Sequence, residues 1–302
     1  MTEQFLKVKT LTKTYKNGLK ITEKVAVNIR AAMHRVFVLN KASLIIVDGG
    51  VGEGKTTLCE HCAGYSIQVY NELYNKTGIK QTYERNKQLA MGGEDFMNKM
   101  SKYSLEKPVI IYDESGDFTG KRSLSAFNFR LTRIFETYRS TKTLVILSLP
   151  TFIVLDNTLM FNKIPRMLFH CENRTLNSGK IKAFSLWRMF YIRHKAKKLV
   201  NPLQAYNYVE SNFYGHFLNH DPKDCADLEL FSTIGKANIH KEIYIQQSGM
   251  IEIKTIAREL QVSTGYVRQL ISKNKVKEDF KIGNKKYYIP EIVSQLKRKL
   301  PE

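Results

Sequence analysis

Gly49-Gly50-Val51-Gly52-Glu53-Gly54-Lys55-Thr56 is the stretch that decides the fold of this 302-residue chain. It fits the pattern GxxxxGK[ST], follows the apolar run Leu44–Val47 and precedes a segment compatible with a helix, Thr57–Tyr74. A strand, a glycine-rich loop and a helix in this order are typical of a phosphate-binding loop, because backbone N–H groups and the positive end of the helix point at the same place. The sequence therefore predicts a nucleotide site here.

The loop and the first turn of its helix supply the predicted nucleotide contacts. The Lys55 ammonium can reach the β- and γ-phosphates of ATP, and the Thr56 hydroxyl can bind Mg²⁺. The predicted contacts are Gly49, Gly50, Val51, Gly52, Glu53, Gly54, Lys55, Thr56 and Thr57.

A second motif supplies carboxylates. Val109-Ile110-Ile111-Tyr112 is an apolar run that ends in Asp113-Glu114, about 60 residues after the loop. We expect Asp113 to hold the Mg²⁺ shell and Glu114 to polarise the attacking water as a general base. Together the two motifs predict hydrolysis as well as binding.

Further catalytic candidates follow on the next strand and before it. Ser148 ends the apolar run Leu144–Leu149, where it could sense the γ-phosphate. Arg133 and Arg139 precede that run, and an arginine finger from a neighbouring subunit would accelerate hydrolysis. Arg139 is the preferred finger; surface or DNA-contact roles remain open for each arginine. A finger in trans requires an oligomer.

The alternation of apolar strands with helical patterns, including Gly93–Tyr103, predicts an α/β domain. Its sheet should be mainly parallel with helices on both faces. We expect a P-loop NTPase domain over residues 1–200, with its core at about 40–190. Within it, the patterns Arg166–Asn173 and Lys180–Tyr191 predict two strands of a hairpin, and the basic run 193–198 a solvated loop or a nucleic-acid contact.

The rest of the chain divides into a linker and a small domain. Residues 201–248 are weakly patterned and predict helical fragments and a linker. Over residues 249–302 the sequence predicts a helix at Ile253–Leu260, a second at Thr264–Lys273 with Ser263 as its N-cap, a hairpin at 280–289 and a last helix after Pro290.

The formal net charge is +20, from 48 Lys and Arg against 28 Asp and Glu. So basic a chain attracts polyanions, and nucleic acid is the usual one; a generic solubilising charge or the background of a basic proteome is the alternative. No apolar run approaches the ~18 residues that span a bilayer. The expectation is therefore a soluble, cytoplasmic protein.

The first part of the chain resembles the FtsK/HerA branch of P-loop ATPases, including Zot-like and viral packaging members. The resemblance covers about residues 40–190 and rests on Gly49–Thr56, Asp113-Glu114, Arg139 before an apolar strand, and the β-rich continuation through Cys171. It implies a Mg-ATPase that translocates, packages or remodels DNA, as a homo-oligomer with a hexameric ring among the options. Members usually carry glutamine where this chain has Ser148.

The C-terminal part resembles a winged helix-turn-helix domain, through Ile256–Val267, although Gln261 stands at the common turn glycine. The resemblance implies a recognition helix in the major groove of double-stranded DNA and a wing on its phosphates. A protein-docking role is the alternative. The implied DNA contacts are Thr264, Tyr266, Arg268, Gln269, Lys273, Lys281, Lys285 and Lys286.

Two other functions fit the same sequence. One is a replication initiator or helicase loader of the AAA+ type, in which ATP acts mainly as an assembly switch. The other is a DNA-binding regulator that senses nucleotide with a vestigial ATPase site.

Overall fold

The computed structural model describes residues 21–113, 142–155, 157–172, 175, 178–234, 249–274, 276–282 and 285–299. The chain divides into two compact units, Met1–Asp227 and Leu228–Glu302. None of the helices within the described ranges is both long and apolar enough to cross a membrane.

The large unit is built on one seven-stranded sheet, with spatial order β2-β3-β4-β1-β5-β6-β7. The first five strands in that order pair in parallel, and β5, β6 and β7 pair antiparallel. This confirms the predicted mainly parallel sheet. The strands are β1 (Leu44–Gly49), β2 (Leu89–Met91), β3 (Val109–Asp113), β4 (Leu144–Leu149), β5 (Pro165–Glu172), β6 (Ser178–Ser185) and β7 (Phe213–Leu218).

Helices cover both faces of this sheet, because every residue of β1, β3 and β4 is buried. Helix α2 packs on β1, β3 and β4, α4 packs on β2 and β3, and α6 packs on β5 and β6. The helices of the large unit are α1 (Glu23–Phe37), α2 (Lys55–Leu73), α3 (Arg85–Gln88), α4 (Gly93–Tyr103), α5 (Asn157–Phe161), α6 (Leu186–Ala196) and α7 (Ala205–Tyr208). A further helix, α8 (residues 222–234), continues past the end of this unit at Asp227. Short 3-10 turns lie at Phe152–Val154 and Pro202–Gln204.

The predicted second strand of the hairpin, Lys180–Tyr191, is wrong in its last part. Strand β6 ends at Ser185, and Leu186–Ala196 is helix, so most of the basic run 193–198 is the end of a helix and not a loop. The buried residues Met189, Ile192 and Ala196 recur at helical spacing and pack into the core. The aromatic residues between them are strand formers in isolation, and this packing overrides that preference.

The predicted helical linker over 201–248 is also wrong in part, because Phe213–Leu218 is a strand of the sheet. Gly215 and Phe217 are buried whereas Tyr214 and His216 are exposed. This alternation of period two is the pattern of a strand with one covered face, over a run too short to stand out.

From residue 249 on, the described part of the small unit contains three helices and a three-stranded antiparallel sheet of order β8-β10-β9. Its elements are β8 (Ile251–Glu252), α9 (Ile253–Glu259), α10 (Thr264–Lys273), β9 (Phe280–Ile282), β10 (Lys285–Tyr288) and α11 (Glu291–Lys297). Its core includes Ile256, Val267, Leu270, Tyr288 and Leu296. The predicted helices and hairpin are confirmed, and the winged-helix assignment stays a proposal.

The turn between α9 and α10 combines a good cap with a strained residue. The Ser263 hydroxyl accepts a hydrogen bond from Tyr266 N at 3.2 Å, as the sequence predicts for an N-cap. Gln261 lies in the left-handed region at φ 57°. A residue with a Cβ atom pays for that conformation, and glycine does not.

We expect Gln261→Gly to raise the free energy of unfolding of the small unit by up to about 1 kcal/mol, because removal of the left-handed strain outweighs the added chain entropy. Gln261→Ala keeps the Cβ atom and should leave stability nearly unchanged. Hydrogen exchange of the Val267 and Leu270 amides measures the effect in this unit alone. Equal protection in the two variants would contradict the assignment of strain to Gln261.

Candidate nucleotide-binding site

The glycine loop links the end of β1 to the start of α2 in a backbone path that needs glycine at three points, of which Gly49 and Gly54 are the ends. At Gly49, with φ 145°, an added Cβ atom would lie 2.7 Å from the carbonyl oxygen of Cys171 on β5. Gly54 precedes α2 in the left-handed region, at φ 80° and ψ 24°. These two glycines let the loop start tight against the sheet and turn directly into the helix.

The Lys55 side chain folds back over its own loop. Its Nζ donates hydrogen bonds to the carbonyl oxygens of Gly49 at 3.0 Å and of Gly50 at 2.7 Å. The ammonium is therefore held against the first two residues of the loop.

The start of α2 leaves backbone donors at the same place. The first helical hydrogen bond runs from Leu58 N to the Gly54 carbonyl at 2.9 Å, so the amides of Lys55, Thr56 and Thr57 precede the helical ladder. The Thr57 side chain is buried, whereas Val51 at the crest of the loop is fully exposed. Thr57 can therefore contribute only its backbone to a ligand here.

The two predicted metal residues contact each other. Thr56 Oγ1 donates a hydrogen bond to Asp113 Oδ2 at 2.7 Å, although 57 positions separate the two residues. Asp113 ends β3 and is 3% exposed. A hydroxyl and a carboxylate oxygen are thus joined beside the loop, at one edge of the sheet.

The other predicted catalytic residues are placed only in part. Ser148 is buried near the end of β4, opposite Val47 of β1. Glu114, Arg133 and Arg139 lie in 114–141, outside the described residues. Their roles stay predictions.

A buried network centred on Asp48 lies next to the loop and was not predicted from the sequence. This carboxylate is 0% exposed; its Oδ2 accepts from Phe152 N at 2.9 Å and from the Tyr206 hydroxyl, and its Oδ1 lies 2.8 Å from His170 Nδ1. The His170 and Tyr206 rings stack with centroids 3.9 Å apart. Burial and the Asp48 charge raise the pKa of Tyr206 well above its ordinary value, so this phenol stays protonated as the donor. The only signal in the sequence was a carboxylate between the apolar run Leu44–Val47 and the loop.

A cavity of about 510 Å³ opens beside the loop, next to this network. Gly49 and Gly50 line it from the loop, and His170, Lys182 and Tyr206 line it from the sheet and α7. The cavity therefore adjoins the phosphate-binding backbone.

A second buried network holds α2 from the side and centres on Glu60, which is 1% exposed. Arg85 binds both carboxylate oxygens, from Nε at 2.6 Å and from Nη2 at 2.9 Å. The Tyr83 hydroxyl donates to Oε1 at 2.9 Å, and His220 Nε2 lies 2.9 Å from Oε2. Burial alone would raise the pKa of Glu60, but the close contact with His220 and the hydrogen bonds from Arg85 outweigh it and lower the pKa to about 2.

His61, next to Glu60, is buried as a neutral ring. Its Nε2 lies 2.6 Å from the Leu218 carbonyl oxygen, to which it donates, and Nδ1 has no partner among the described residues. Burial lowers the pKa of His61 to about 4, since a second proton would charge a ring with no solvent around it.

The predicted DNA-contact residues lie on two elements of the small unit. On α10, Arg268, Gln269 and Lys273 are exposed, and Thr264 and Tyr266 are half-buried. Lys286 on β10 is exposed, with its Nζ 3.1 Å from Glu278 Oε2. Lys281 belongs to β9 and Lys285 to β10, and their side chains are outside what the structure describes.

Comparison with known proteins gives weak similarities in fold. No family model matches the chain, and no curated protein is significantly similar to it. Among solved structures, the N-terminal domain of zonular occludens toxin from Neisseria meningitidis is 14% identical, over 61% of this chain and 96% of that one, with a TM-score of 0.33. The flagellar accessory protein FlaH from Methanocaldococcus jannaschii is 19% identical over 51% and 83%, with a TM-score of 0.27. AMPPCP-bound DnaA from Aquifex aeolicus is 13% identical over 89% and 74%, with a TM-score of 0.31. TM-scores this low establish no shared function.

Acid should destabilise the large unit in two steps. The pKa of His61 is about 4 in the folded chain against 6.5 in the unfolded one, so its contribution is complete above pH 6.5 and is lost as pH falls toward 4. Through this difference in proton binding, the free energy of unfolding falls by at most about 3 kcal/mol. Glu60 adds a further loss as pH falls from 4.5 toward 2.

Urea denaturation at a series of pH values measures this dependence. His61→Gln should remove most of the dependence of the unfolding free energy on pH between about pH 6.5 and pH 4. In the wild type, His61 gains a proton in this range only when the chain is unfolded. His194→Gln, on an exposed position of α6, is the matched control and should keep the slope. An unchanged slope in His61→Gln would show that another group carries it.

Proposed function

We propose that this chain is an ATPase that hydrolyses Mg-ATP at the glycine loop and couples hydrolysis to work on DNA. The observation that supports it most is the 2.7 Å hydrogen bond from Thr56 to Asp113. It joins the loop motif to the carboxylate motif beside the Lys55 ammonium, and these are the parts that phosphoryl transfer needs together.

The residues of the pair fit Mg²⁺. Thr56 and Asp113 offer hard oxygen ligands, and Mg²⁺ bound with a nucleotide takes one or two protein ligands besides waters and phosphates. When bound, Mg²⁺ would neutralise charge on the β- and γ-phosphate oxygens.

Lys55 and the loop backbone would bind the phosphates. The two carbonyl oxygens that now hold the ammonium are neutral acceptors, and a phosphate oxygen is a stronger, charged one. Lys55 can therefore exchange its loop carbonyls for phosphate. The amides at the start of α2 add donors at its positive end.

Hydrolysis would use residues at the ends of β3 and β4. Glu114 follows Asp113 directly and would take a proton from the attacking water. Ser148 would sense the γ-phosphate, and Arg139, or else Arg133, would act as a finger in a neighbouring copy of the chain. This assigns the protein a homo-oligomeric working state, with a hexamer as one form.

The small unit would hold the DNA as a winged helix. Its α10 exposes Arg268, Gln269 and Lys273 on the side away from the buried Val267 and Leu270, which suits contact with a major groove. The net charge of +20 supports a polyanionic partner. The finer proposal is translocation, packaging or remodelling of double-stranded DNA.

ATP turnover measured with and without duplex DNA tests this proposal. The wild type should hydrolyse ATP in the presence of Mg²⁺ and do so faster with duplex. Glu114→Gln should lower turnover by about 100-fold or more while nucleotide binding persists, because only the general base is lost. Glu106→Gln, an exposed glutamate after α4, is the matched control and should retain turnover.

The outcomes separate the parts of the proposal. Slow turnover that duplex does not change, together with capture of a helicase, would favour a loader. Site-specific DNA binding with no turnover in the wild type would favour a nucleotide-sensing regulator. Failure to bind duplex at moderate salt would contradict the DNA part and leave the ATPase part standing.

A further inference from the structure

Helix α6 of the large unit carries an unusual exposed surface. Trp187 is 74% exposed, Tyr191 50%, and Phe161 of the adjacent α5 71%. Rings of this size are normally buried to a large degree, and a group of them at the surface marks a binding site more often than chance. We call Phe161, Lys163, Trp187, Tyr191 and Lys195 the α6 aromatic surface.

The rings form an ordered row. Trp187 and Tyr191 are four residues apart and so lie on one side of α6, with Lys195 one turn further. Phe190 supports the row, because its centroid lies 6.3 Å from both Trp187 and Phe161. The apolar side of α6 packs into the core of the large unit, so the exposed rings lie on a different side of the helix.

Lysines accompany the rings. Lys163 Nζ lies 5.9 Å from the Trp187 ring centroid, and Lys195 Nζ lies 5.5 Å from the Tyr191 ring centroid. The segment 186–198 contains no Asp or Glu, and its cations are Arg188, Arg193, Lys195, Lys197 and Lys198. Glu210, which lies outside this segment, has its Oε2 atom 3.6 Å from Arg188 Nη2. The surface therefore presents flat rings set among positive charges.

We propose that the α6 aromatic surface binds single-stranded nucleic acid. Unpaired bases stack on aromatic faces while lysines neutralise the backbone, and duplex bases have no free faces to offer. Trp187 and Tyr191 are about 6 Å apart along the helix axis, well above the ~3.4 Å between stacked bases, so a strand would bind stretched with its bases unstacked. This site is independent of the winged helix and of nucleotide hydrolysis.

An anionic membrane surface is the competing partner, since aromatic and basic residues also suit an interface. Membrane-binding helices, however, insert a broad apolar face. In α6 that face, with Met189, Ile192 and Ala196, is buried inside the protein. The exposed side offers rings with lysine ammonium groups over their faces, where a nucleic acid can exchange a base for the ammonium and pair the ammonium with its phosphate, and this favours a nucleic acid.

The chain contains a single tryptophan, so the fluorescence of Trp187 reports on this surface alone. Titration of the full chain with an oligothymidylate of about 15 nucleotides, without ATP, should give saturable quenching. Tyr191→Ala should weaken binding by about 5-fold or more through lost stacking. Lys195→Ala should lower the slope of log affinity against log salt concentration by about 0.7, because one phosphate contact is lost.

Tyr214→Ala, an exposed tyrosine on β7, is the matched control and should bind like the wild type. Absence of quenching would overturn the proposal, and so would equal affinity for duplex. Unchanged affinity in Tyr191→Ala would place the strand on another surface and would equally overturn it. Quenching by phosphatidylserine vesicles but not by the oligonucleotide would assign the surface to a membrane. Because no ATP is present, none of these outcomes depends on turnover.

Discussion

The buried Asp48 carboxylate is the constraint on which the large unit depends most. It ends the apolar part of β1 immediately before the glycine loop, and it is bound by Phe152 N, His170 and Tyr206. A buried charge that loses its partners costs several kcal/mol, so the segment after β4, strand β5 and α7 must all meet at this point. The loop therefore leaves the sheet from a fixed position, and Gly49 can lie against the Cys171 carbonyl.

From that position the parallel sheet assembles the candidate site. Strands β1 and β3 both end at the same edge, separated only by β4, so the loop and Asp113 arrive side by side. Helix α2 then starts with Thr56 toward Asp113, and the Glu60 network with Arg85 holds the next turn on the same face of the helix. The chemistry lies at the loop and strand ends, whereas the buried networks set their positions.

Local patterns in the sequence predicted β1, β3, β4 and α10, because long apolar runs and a serine cap are strong signals within one element. The meeting of Thr56 with Asp113 followed from two motifs of known spacing. The Asp48 and Glu60 networks could not be predicted, since their partners lie far away in the chain and only the folded topology joins them. The first half of helix α6, as far as Tyr191, is predicted as strand because its exposed rings, Trp187 and Tyr191, hide the helical spacing of its core residues.

If the Thr56–Asp113 pair beside Lys55 binds a metal-bound nucleotide, the binding of an ATP analogue must depend on Mg²⁺. Calorimetry should show that Mg²⁺ raises the affinity of the wild type for the ATP analogue by about 10-fold or more. One contact with a charged group contributes about 1.5–3 kcal/mol, which corresponds to a gain of this size. Thr56→Ser keeps the hydroxyl and should keep that gain, whereas Thr56→Val should lose most of it. An equal gain in Thr56→Val, or no binding by the wild type, would contradict the claim.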